Sequence, residues 1–304
     1  MRILVTGGCG FIGSNFIKHM LSNYNYPIWN VDKLTYAGNE NNIGELNTHS
    51  NYQFYRVDIN EYDTLHYMIR DNNIDTIINF AAESHVDRSI KNSDDFIHTN
   101  ISGTHTLLKL MHELSIKKFI QISTDEVYGT LTENDKPFTE NTPLAPNSPY
   151  AASKTAADLL CRSFYETYKY PIIITRCSNN YGPHQHVEKL IPSMIQKAKN
   201  GEKLTVYGDG KNIRDWIHVQ DHCEAIDIVL HNGKDGEVYN IGGECEKRNI
   251  EIVKTIINSL GGEIEFVEDR KGHDWRYAMD ISKIKKELNW KPKTKFKEKI
   301  GELF

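Results

Sequence analysis

Short apolar runs rich in Val and Ile alternate with longer helical patterns along the first part of the chain. The runs cover residues 2–6, 27–31, 52–57, 76–80, 118–122 and 171–176. Strands that are apolar on both faces are typical of a parallel sheet with helices on both sides. The pattern therefore predicts an α/β fold built on a doubly wound, Rossmann-type parallel sheet.

Two helices are predicted from apolar positions that recur every three or four residues. One stripe comprises Phe11, Ile12, Phe16, Ile17, Met20 and Leu21, and the other comprises Leu107, Leu108, Met111 and Leu114. This spacing places the side chains on one helix face, which can cover a sheet. The pattern at 92–114 could instead supply a helix to a bundle between subunits, and both interpretations stay open.

The regular alternation of predicted strands and helices ends after Asn179, where Gly-, Pro- and His-rich connections begin. They separate a predicted helix at 192–200 from a predicted strand and helix within 215–230. We expect residues 1–178 to form the larger unit. The segment 215–243 would return to it, because 237–241 looks like one more strand of its sheet. Residues 179–214 and 244–304 would form a smaller, mixed α/β lobe.

A glycine-rich segment directly follows the first predicted strand. Gly7, Gly10 and Gly13 satisfy GxxGxxG, and a GxGxxG pattern starts at Gly8. Such a turn lets the backbone approach a pyrophosphate, which the following helix attracts with free N–H groups and its positive dipole end. Asp32, about 20 residues further on, can bind ribose hydroxyls and repels a 2′-phosphate. The pattern predicts NAD rather than NADP, although Lys33 could partly offset that repulsion.

Further candidates follow the third and fourth predicted strands. Asp58 is placed to accept a hydrogen bond from the adenine amino group, with Ile59 beside the base. An equally good interpretation makes Asp58 the N-cap of a helix beginning near Glu61. The small residues Ala81, Ala82 and Ser84 would leave room for a cofactor at the ligand edge of the sheet, or would pack a helix closely against it.

Tyr150 and Lys154 stand four residues apart, so a helix would present them on one face. An ammonium and an oxidised nicotinamide near a phenol favour the phenolate, which makes Tyr150 a candidate base for a hydroxyl proton. Thr124, at the exit of the fifth strand, could hydrogen-bond the same reacting oxygen.

Asp125 and Glu126 follow Thr124 directly. Adjacent carboxylates at a strand exit are often a solvated turn, but beside Thr124, Tyr150 and Lys154 they indicate chemistry. Two carboxyl groups in one shielded pocket do not both ionise cheaply, so one serves as acid and the other as base. Elimination of water requires that division, whereas hydride transfer alone does not.

The composition excludes several classes of protein. The 36 Lys and Arg against 41 Asp and Glu leave a formal charge of −5, so no basic field attracts nucleic acid or a membrane surface. No apolar run approaches the roughly 18 residues of a membrane span, and MRILVTGG has no leader pattern. The five cysteines form no CxxC, and His85, His184 and His186 lack metal-ligand spacing. We expect an unprocessed, soluble, cytoplasmic protein without a metal.

The ordered set of motifs resembles a known family, the dTDP-glucose 4,6-dehydratases of the extended short-chain dehydrogenase/reductase type. It consists of TGGxGFIG with Asp32, AAESHVDRSI, STDEVYG, YAASK, RCSNNYGPHQ, KLIP, YGDGKNIRDWIHVQDH and DRKGHDWRY, and it spans essentially the whole chain. The resemblance implies a Rossmann domain with tightly bound NAD, a smaller sugar-nucleotide lobe and usually a homodimer. Trp275 departs from the family, in which an arginine is common at that position.

The resemblance also implies a reaction, the conversion of dTDP-glucose to dTDP-4-dehydro-6-deoxyglucose and water. Tyr150 would take the C4 hydroxyl proton while NAD accepts the C4 hydride. Glu126 would remove the C5 proton and Asp125 would protonate the departing C6 oxygen. The hydride would then return to C6 and Glu126 would reprotonate C5.

Residue by residue, the resemblance implies two sets of ligand contacts. Contacts to NAD fall on Phe11, Ile12, Asp32, Lys33, Leu34, Thr35, Asp58, Ile59, Ala81, Ala82, Ser84, Thr99, Tyr150, Lys154 and Asn180. Contacts to the sugar nucleotide fall on Ser84, Thr124, Asn179, Lys189, Leu190, Thr205, Val206, Tyr207, Arg214, Asn249, Asp269, Arg270, Lys271, Gly272, His273 and Tyr277. Arg214 suits a diphosphate because a guanidinium forks onto phosphate oxygens, unless it pairs instead with Asp215 or Asp221.

Three other functions are weighed against the dehydratase. A nucleotide-sugar 4-epimerase needs the same cofactor loop, Tyr150 and Lys154, but no acid–base pair for water loss. A UDP-glucuronate decarboxylase would carry the glutamate without the preceding aspartate, and would want a further cation for the substrate carboxylate. An NAD-sensing binding protein could dispense with the catalytic set, which is present here in full.

Overall fold

The computed structural model describes residues 1–304, and a seven-stranded sheet is its largest element. The strands of the chain are β1 (Ile3–Thr6), β2 (Ile28–Val31), β3 (Tyr52–Tyr55), β4 (Thr76–Asn79), β5 (Lys118–Thr124), β6 (Ile172–Cys177), β7 (Asn179–Tyr181), β8 (Leu204–Tyr207), β9 (Ile213–His218), β10 (Val238–Ile241), β11 (Glu246–Arg248) and β12 (Ile264–Val267). The large sheet has the order β10-β6-β5-β4-β1-β2-β3, and every pairing in it is parallel. The predicted doubly wound parallel sheet is confirmed, including the returning strand β10.

The helices are α1 (Phe11–Asn23), α2 (Tyr62–Asp71), α3 (Val86–Lys91), α4 (Asp94–Phe96), α5 (Thr104–Leu114), α6 (Pro149–Tyr168), α7 (Leu190–Lys199), α8 (Val219–Asn232), α9 (Asn249–Leu260), α10 (Ser282–Leu288) and α11 (Phe296–Lys299). They cover both faces of the large sheet, because alternate residues of a strand point to opposite sides. Ile3 and Val5 pack in one core with Phe16 of α1. Leu4 packs in the other core with Leu107 of α5. Both predicted apolar stripes therefore cover the sheet.

The helical pattern at 92–114 is interrupted in the structure. A π-helical segment, Ile97–Gly103, lies between α4 and α5. Single π-helical turns are rare and frequently occur at functional sites. Here the segment carries Thr99, which lines the central cavity, and the buried Asn100.

The later part of the chain builds two small sheets, β11-β9-β7 and β12-β8. A third apolar core joins them to α7 and α9 through residues such as Met194 and Ile252. Ile284 and Trp290, in contrast, pack in the first core of the large sheet. The expected division into a Rossmann domain and a smaller lobe stays a prediction.

In the large sheet, β1 lies between β2 and β4, so the order of the strands reverses direction there. Open α/β sheets bind their ligands at the carboxyl ends of the strands beside such a switch point. The architecture therefore directs attention to the residues that directly follow β1, β2, β4, β5 and β6.

Candidate active site

A cavity of about 270 Å³ opens at the carboxyl edge of the large sheet. It brings together most of the residues that the sequence singled out. They are Gly7, Gly10, Phe11, Ile12, Gly13, Asp32, Lys33, Thr35, Asp58, Ile59, Ala81, Ala82, Ser84, Thr99, Thr124, Asp125, Glu126, Tyr150, Lys154, Asn179, Asn180 and Lys189. Leu34 is not in the lining; its backbone N–H donates to Asp32 Oδ1 at 2.8 Å.

The glycine loop forms one end of the cavity. Gly7 has φ +67°, and a Cβ atom there would lie 2.6 Å from the backbone nitrogen of Ala81, so only glycine fits between β1 and the exit of β4. A Cβ on Gly13 would lie 2.5 Å from the Gly7 carbonyl oxygen. Helix α1 follows with no side chain capping its N-terminus. The loop thus leaves the N–H groups and positive dipole end of the helix for an anion.

Asp32 and Asp58 stand beside this loop. The Asp32 carboxylate accepts the Cys9 N–H at 2.9 Å as well as the Leu34 N–H, and burial raises its pKa above the ordinary value. Its further lone pairs remain for the hydroxyl groups of a ribose. Lys33 forms an ion pair with Asp58 at 2.8 Å. The cation that could have favoured a 2′-phosphate is therefore already paired with a carboxylate.

Asp58 does not cap the following helix. Helix α2 begins at Tyr62 with Glu61 at its N-cap, and Asp58 Oδ1 accepts the Asn60 N–H at 2.9 Å in a local turn. The structure thus separates the two interpretations that the sequence left open, because Asp58 lines the cavity and the helix starts without it.

The other end of the cavity begins at the exit of β5. Thr124 ends the strand. Its hydroxyl donates to Asp125 Oδ1 at 3.2 Å, and Thr124 Oγ1 accepts the Glu126 N–H at 3.3 Å. Asp125 is 2% exposed and its Oδ2 has no hydrogen-bond partner. Burial, and then the neighbouring Glu126, raise the pKa of Asp125 well above its ordinary value. Burial therefore favours the protonated form of Asp125, and its Oδ2 has no partner within the protein.

Glu126 has a different environment although it is the next residue. Burial raises its pKa, but Lys189, Arg270 and Arg214 act in the opposite direction. Cations that face a carboxylate favour its charged form. Burial thus raises the pKa of both carboxyl groups, and only at Glu126 do three cations oppose that rise.

Tyr150 and Lys154 lie in the first two turns of α6, which Ser148 caps by accepting the Ala151 N–H. The Lys154 ammonium donates to the Ile122 carbonyl oxygen at 2.6 Å. Burial, and then Glu126, raise the pKa of Tyr150 well above its ordinary value, while the nearby Thr124 acts in the opposite direction. Lys154 alone therefore does not bring the phenol toward neutrality, and the lowering expected from the sequence requires the positive nicotinamide as well.

A second group of predicted substrate residues lies outside the cavity lining. It comprises Leu190, Thr205, Val206, Tyr207, Arg214, Asn249, Asp269, Arg270, Lys271, Gly272, His273 and Tyr277. Val206 is 3% exposed within the third core. Two others converge on Asp87, which is also outside the lining: Arg270 lies 3.7 Å from its carboxylate, and Tyr207 donates to it at 3.4 Å.

Arg214 is held by backbone carbonyls rather than by a carboxylate. Its guanidinium donates to the carbonyl oxygens of Ile213 at 2.7 Å and Asp274 at 3.0 Å, and it stacks over the Tyr277 ring at 4.2 Å. No ion pair forms with Asp215 or Asp221, whose carboxylates accept backbone N–H groups. The full charge of Arg214 therefore remains for an anion.

Three residues around the cavity were missed by the sequence reasoning. Tyr36 accepts the Ser84 N–H at 3.3 Å beneath the Arg88 guanidinium, and Glu83 is buried beside it. The Asn100 side chain accepts the Glu83 N–H and donates to the Glu83 carbonyl oxygen. It also donates to the Ser153 hydroxyl at 2.8 Å, and these bonds join the exit of β4 to α6. Tyr36 and Glu83 adjoin predicted residues in sequence, whereas no pattern signals the π-helical turn that aims Asn100.

Comparisons with known proteins agree with this geometry. Residues 4–303 match the family model described as GDP-mannose 4,6 dehydratase. The low-salt glycan biosynthesis protein Agl12 of Haloferax volcanii is 51% identical over 98% of this chain and 96% of its own length. A dTDP-glucose 4,6-dehydratase of Xanthomonas campestris pv. campestris is 48% identical, over 98% of this chain and 90% of its own.

A solved structure extends the comparison to three dimensions. The dTDP-glucose 4,6-dehydratase of Bacillus anthracis, crystallised with NAD, has a TM-score of 0.93 and 51% identity over 100% of this chain and 95% of its own. These matches confirm the resemblance drawn from the motifs. The chain therefore belongs to the GDP-mannose 4,6 dehydratase family and, within it, groups with the dTDP-glucose 4,6-dehydratases.

Proposed function

We propose that this protein is an NAD-dependent dTDP-glucose 4,6-dehydratase, which forms dTDP-4-dehydro-6-deoxyglucose and water. The observation that carries the proposal is the pair Asp125 and Glu126 beside Tyr150 in one cavity. Burial and the adjacent Glu126 raise the pKa of Asp125, and Glu126 faces three cations. Elimination of water needs such an acid and such a base at the same sugar.

NAD fits the cofactor end of the cavity. The uncapped N-terminus of α1 and the glycine loop suit the pyrophosphate, Asp32 suits the adenosine ribose, and Asp58 with Ile59 suits the adenine. When bound, NAD accepts a hydride from C4 of the sugar and returns it to C6. The ion pair between Lys33 and Asp58 supports NAD over NADP, because it withdraws the cation that would favour a 2′-phosphate.

Tyr150 takes the C4 hydroxyl proton in the proposed reaction. Lys154 places a positive charge in the same buried cavity, and its hydrogen bond to the Ile122 carbonyl fixes its position. Thr124 lines the same cavity and hydrogen-bonds the reacting oxygen in the proposed complex. The proton leaves the hydroxyl as the C4–H bond breaks, so a ketone forms at C4.

The ketone at C4 makes the hydrogen at C5 acidic, so that a base can remove it. Glu126 removes the C5 proton, and Asp125 delivers its own proton to the C6 oxygen so that the oxygen leaves as water. The free Oδ2 of Asp125 and its raised pKa suit that delivery. After the hydride reaches C6, Glu126 returns its proton to C5.

The nucleotide end is proposed to lie beyond Glu126. Lys189, Arg214 and Arg270 together supply three positive charges near that carboxylate, which suits the diphosphate of a sugar nucleotide. Asn179, Tyr207, Asn249 and the segment 269–277 complete the proposed contacts. Thymidine is proposed as the nucleoside of the substrate because the relatives are dTDP-glucose 4,6-dehydratases.

The alternatives lack an observation in their favour. An epimerase needs neither a neutral, buried Asp125 nor its free Oδ2. A binding protein would not need a buried acid and base at a hydride-transfer site. Incubation of the purified protein with dTDP-glucose, without added NAD, tests the proposal by mass spectrometry. A loss of one water without net NADH supports it, and turnover of UDP-sugars with unchanged mass contradicts it.

A homodimer is proposed as the assembled form. Ile97 of the π-helical segment and Leu159 and Tyr168 of α6 are each about half exposed, at 50%, 51% and 50%. The π-helical segment packs against α6, whereas Leu159 and Tyr168, nine residues apart, lie on opposite faces of that helix and belong to different patches. Sedimentation equilibrium of Ile97→Glu should yield a monomer, whereas Phe266→Glu, at an exposed residue of β12, should leave a dimer.

The cytoplasm is proposed as the compartment, because all five cysteines are free thiols. No helix of the chain combines the length and the apolar character needed to cross a membrane.

A further inference from the structure

The acid–base pair and Tyr150 are carried by two separate elements of the chain. Asp125 and Glu126 lie in a single 3₁₀ turn, Asp125–Tyr128, whereas Tyr150 lies in α6. In the proposed reaction the three side chains act on C6, C5 and C4 of one sugar, which are adjacent carbons. A misplacement of about 1 Å can lower a rate by roughly 10²-fold, so the turn and the helix require a fixed relative position.

A buried hydrogen-bond network joins the turn to the helix. Asp158 of α6 accepts the Arg176 Nε–H at 2.9 Å, and Arg176 Nη1 donates to the Tyr128 hydroxyl at 2.9 Å. The Tyr128 hydroxyl donates in turn to Asn240 Oδ1 at 2.7 Å. Arg176 of β6 and Asn240 of β10 are paired in register, so their side chains stand on the same face of the sheet. All four residues are buried, and none of them lines the central cavity.

Tyr128 is the residue through which this network reaches the catalytic pair. It is the last residue of the turn, two positions after Glu126. Its ring stacks on Phe138 with the centroids 5.0 Å apart, and the Arg176 guanidinium lies 4.8 Å from its centroid. The other end of the turn continues from β5, which is paired with β4 and β6 on both sides. The sheet therefore fixes the beginning of the turn, and the network fixes its end.

Stability alone does not account for a buried ion pair at this place. Apolar side chains of similar volume are often as stabilising as such a pair, because transfer of two charges out of water is costly. Burial raises the pKa of Asp158 above its ordinary value, and the Arg176 guanidinium opposes that rise. Unlike an apolar contact, the planar guanidinium holds its N–H groups at fixed angles. Two of them bind the helix and the turn at the same time.

We propose that Arg176 is a positioning residue for the elimination of water. It holds the Asp125–Tyr128 turn against α6, so that Asp125 and Glu126 reach C6 and C5 of the sugar while Tyr150 reaches C4. The first oxidation depends on α6 and the cofactor, whereas elimination depends on the turn as well. Loss of the link therefore slows elimination more than oxidation. This inference rests on the proposed dehydratase function.

The decisive variant is Tyr128→Phe, which keeps the aromatic ring and the ion pair between Asp158 and Arg176. It removes only the hydroxyl that joins Arg176 and Asn240 to the turn. A single turnover of dTDP-glucose is followed by NADH absorbance and, after rapid quench, by mass spectrometry. We expect NADH to form at close to the wild-type rate and to persist, because water loss becomes at least about tenfold slower.

The matched control is Tyr239→Phe, which also removes a buried hydroxyl from the first core. The Tyr239 hydroxyl accepts the Lys234 N–H at 3.2 Å and donates to Glu287 at 3.2 Å, and Tyr239 does not line the cavity. This control should lower Tm by a similar amount and leave both steps at the wild-type rate. If Tyr128→Phe behaves in the same way, or slows both steps equally, the positioning role is overturned.

Arg176→Lys repeats the test at the centre of the network, and it also serves if Tyr128→Phe does not fold. It keeps a positive charge beside Asp158, but an ammonium lacks the fork that reaches Asp158 and Tyr128 together. Slower elimination with unchanged oxidation supports the proposal, and equal rates for the two steps contradict it. Absence of water loss by the wild-type protein would overturn the proposed function and this inference with it. Failure of the inference alone leaves dehydration by the wild type intact.

Discussion

The two ends of the central cavity are constructed in different ways. At the cofactor end, Gly7, Asp32 and Asp58 each follow one of the parallel strands β1, β2 and β3 within a few residues. At the proposed nucleotide end, Lys189 lines the cavity and Arg214 and Arg270 lie outside its lining; the three come from separate segments of the later chain. Parallel strands bring residues after their carboxyl ends together automatically, whereas separate segments meet only when the whole chain packs.

The difference explains how firmly each end is held. The cofactor end is fixed by steric limits such as the 2.6 Å approach at Gly7 and by the backbone bonds of Asp32. The nucleotide end is fixed by carbonyls of the 274–275 segment that bind Arg214. Substitutions at the two ends, and at the chemistry between them, should therefore produce separable effects.

The largest effect is expected between the two ends, from Tyr150→Phe. Removal of the phenolic oxygen should lower turnover of dTDP-glucose by roughly 10²- to 10⁴-fold, because no other group takes the C4 hydroxyl proton. The bound NAD content should stay near that of the wild type, as should turnover by the control Tyr168→Phe at an exposed position. Rapid turnover by Tyr150→Phe would remove Tyr150 from the proposed chemistry.

Asp125→Asn should slow water loss by roughly 10²-fold, because an amide cannot deliver a proton to the leaving oxygen. The first oxidation should be affected less, so NADH absorbance should rise and persist during a single turnover. Dehydration at the wild-type rate would show that another group acts as the acid.

Asp32→Asn should act at the cofactor end alone. Affinity for NAD should fall by roughly 10- to 100-fold, since hydrogen bonds to a charged acceptor contribute about 1.5–3 kcal/mol. Calorimetric titration of cofactor-stripped protein measures the change, with the exposed Asp71→Asn as control. An unchanged affinity would mean that the ribose lies elsewhere.

Arg214→Lys should act at the nucleotide end alone. The KM for dTDP-glucose should rise by roughly tenfold because an ammonium cannot fork onto two phosphate oxygens. NAD content should not change, and the exposed Arg162→Lys should match the wild type in steady-state kinetics. A fall in kcat at constant KM would place Arg214 outside the diphosphate site.

The smallest effect is on stability and depends on pH. Because folding raises the pKa of Asp125, the protonated form favours the folded state, and stability falls as pH rises from the ordinary pKa through the raised one. Asp125→Asn does not titrate. Its Tm should therefore exceed that of the wild type by a margin that grows from pH 5 to pH 8, and a constant margin would contradict the raised pKa.

Much of the fold and half of the site could be predicted from the sequence. The six strand predictions required only local runs of apolar residues, and Gly7, Asp32 and Asp58 required only their position after a strand. That one of two adjacent carboxyl groups has a raised pKa could be anticipated from their adjacency, but not which of the two. The pKa of Tyr150 could not, because its largest cause is burial by residues far apart in the chain.

Other features have no local signal. The π-helical turn that aims Asn100 at Glu83 interrupts a stretch whose apolar spacing is regular. Asp58 forms its ion pair with Lys33, and Arg214 donates to backbone carbonyl oxygens. Both interactions depend on which residues pack beside each side chain.

The sequence by itself determined the order of strands and helices, the glycine loop and the set of catalytic side chains, because these follow from short-range patterns and from steric limits on single residues. The tertiary structure decided which of two adjacent carboxyl groups is the more deeply buried, and which cations face the other. Burial and electrostatic interaction depend on distances between groups that are remote in sequence, and only the folded chain sets those distances.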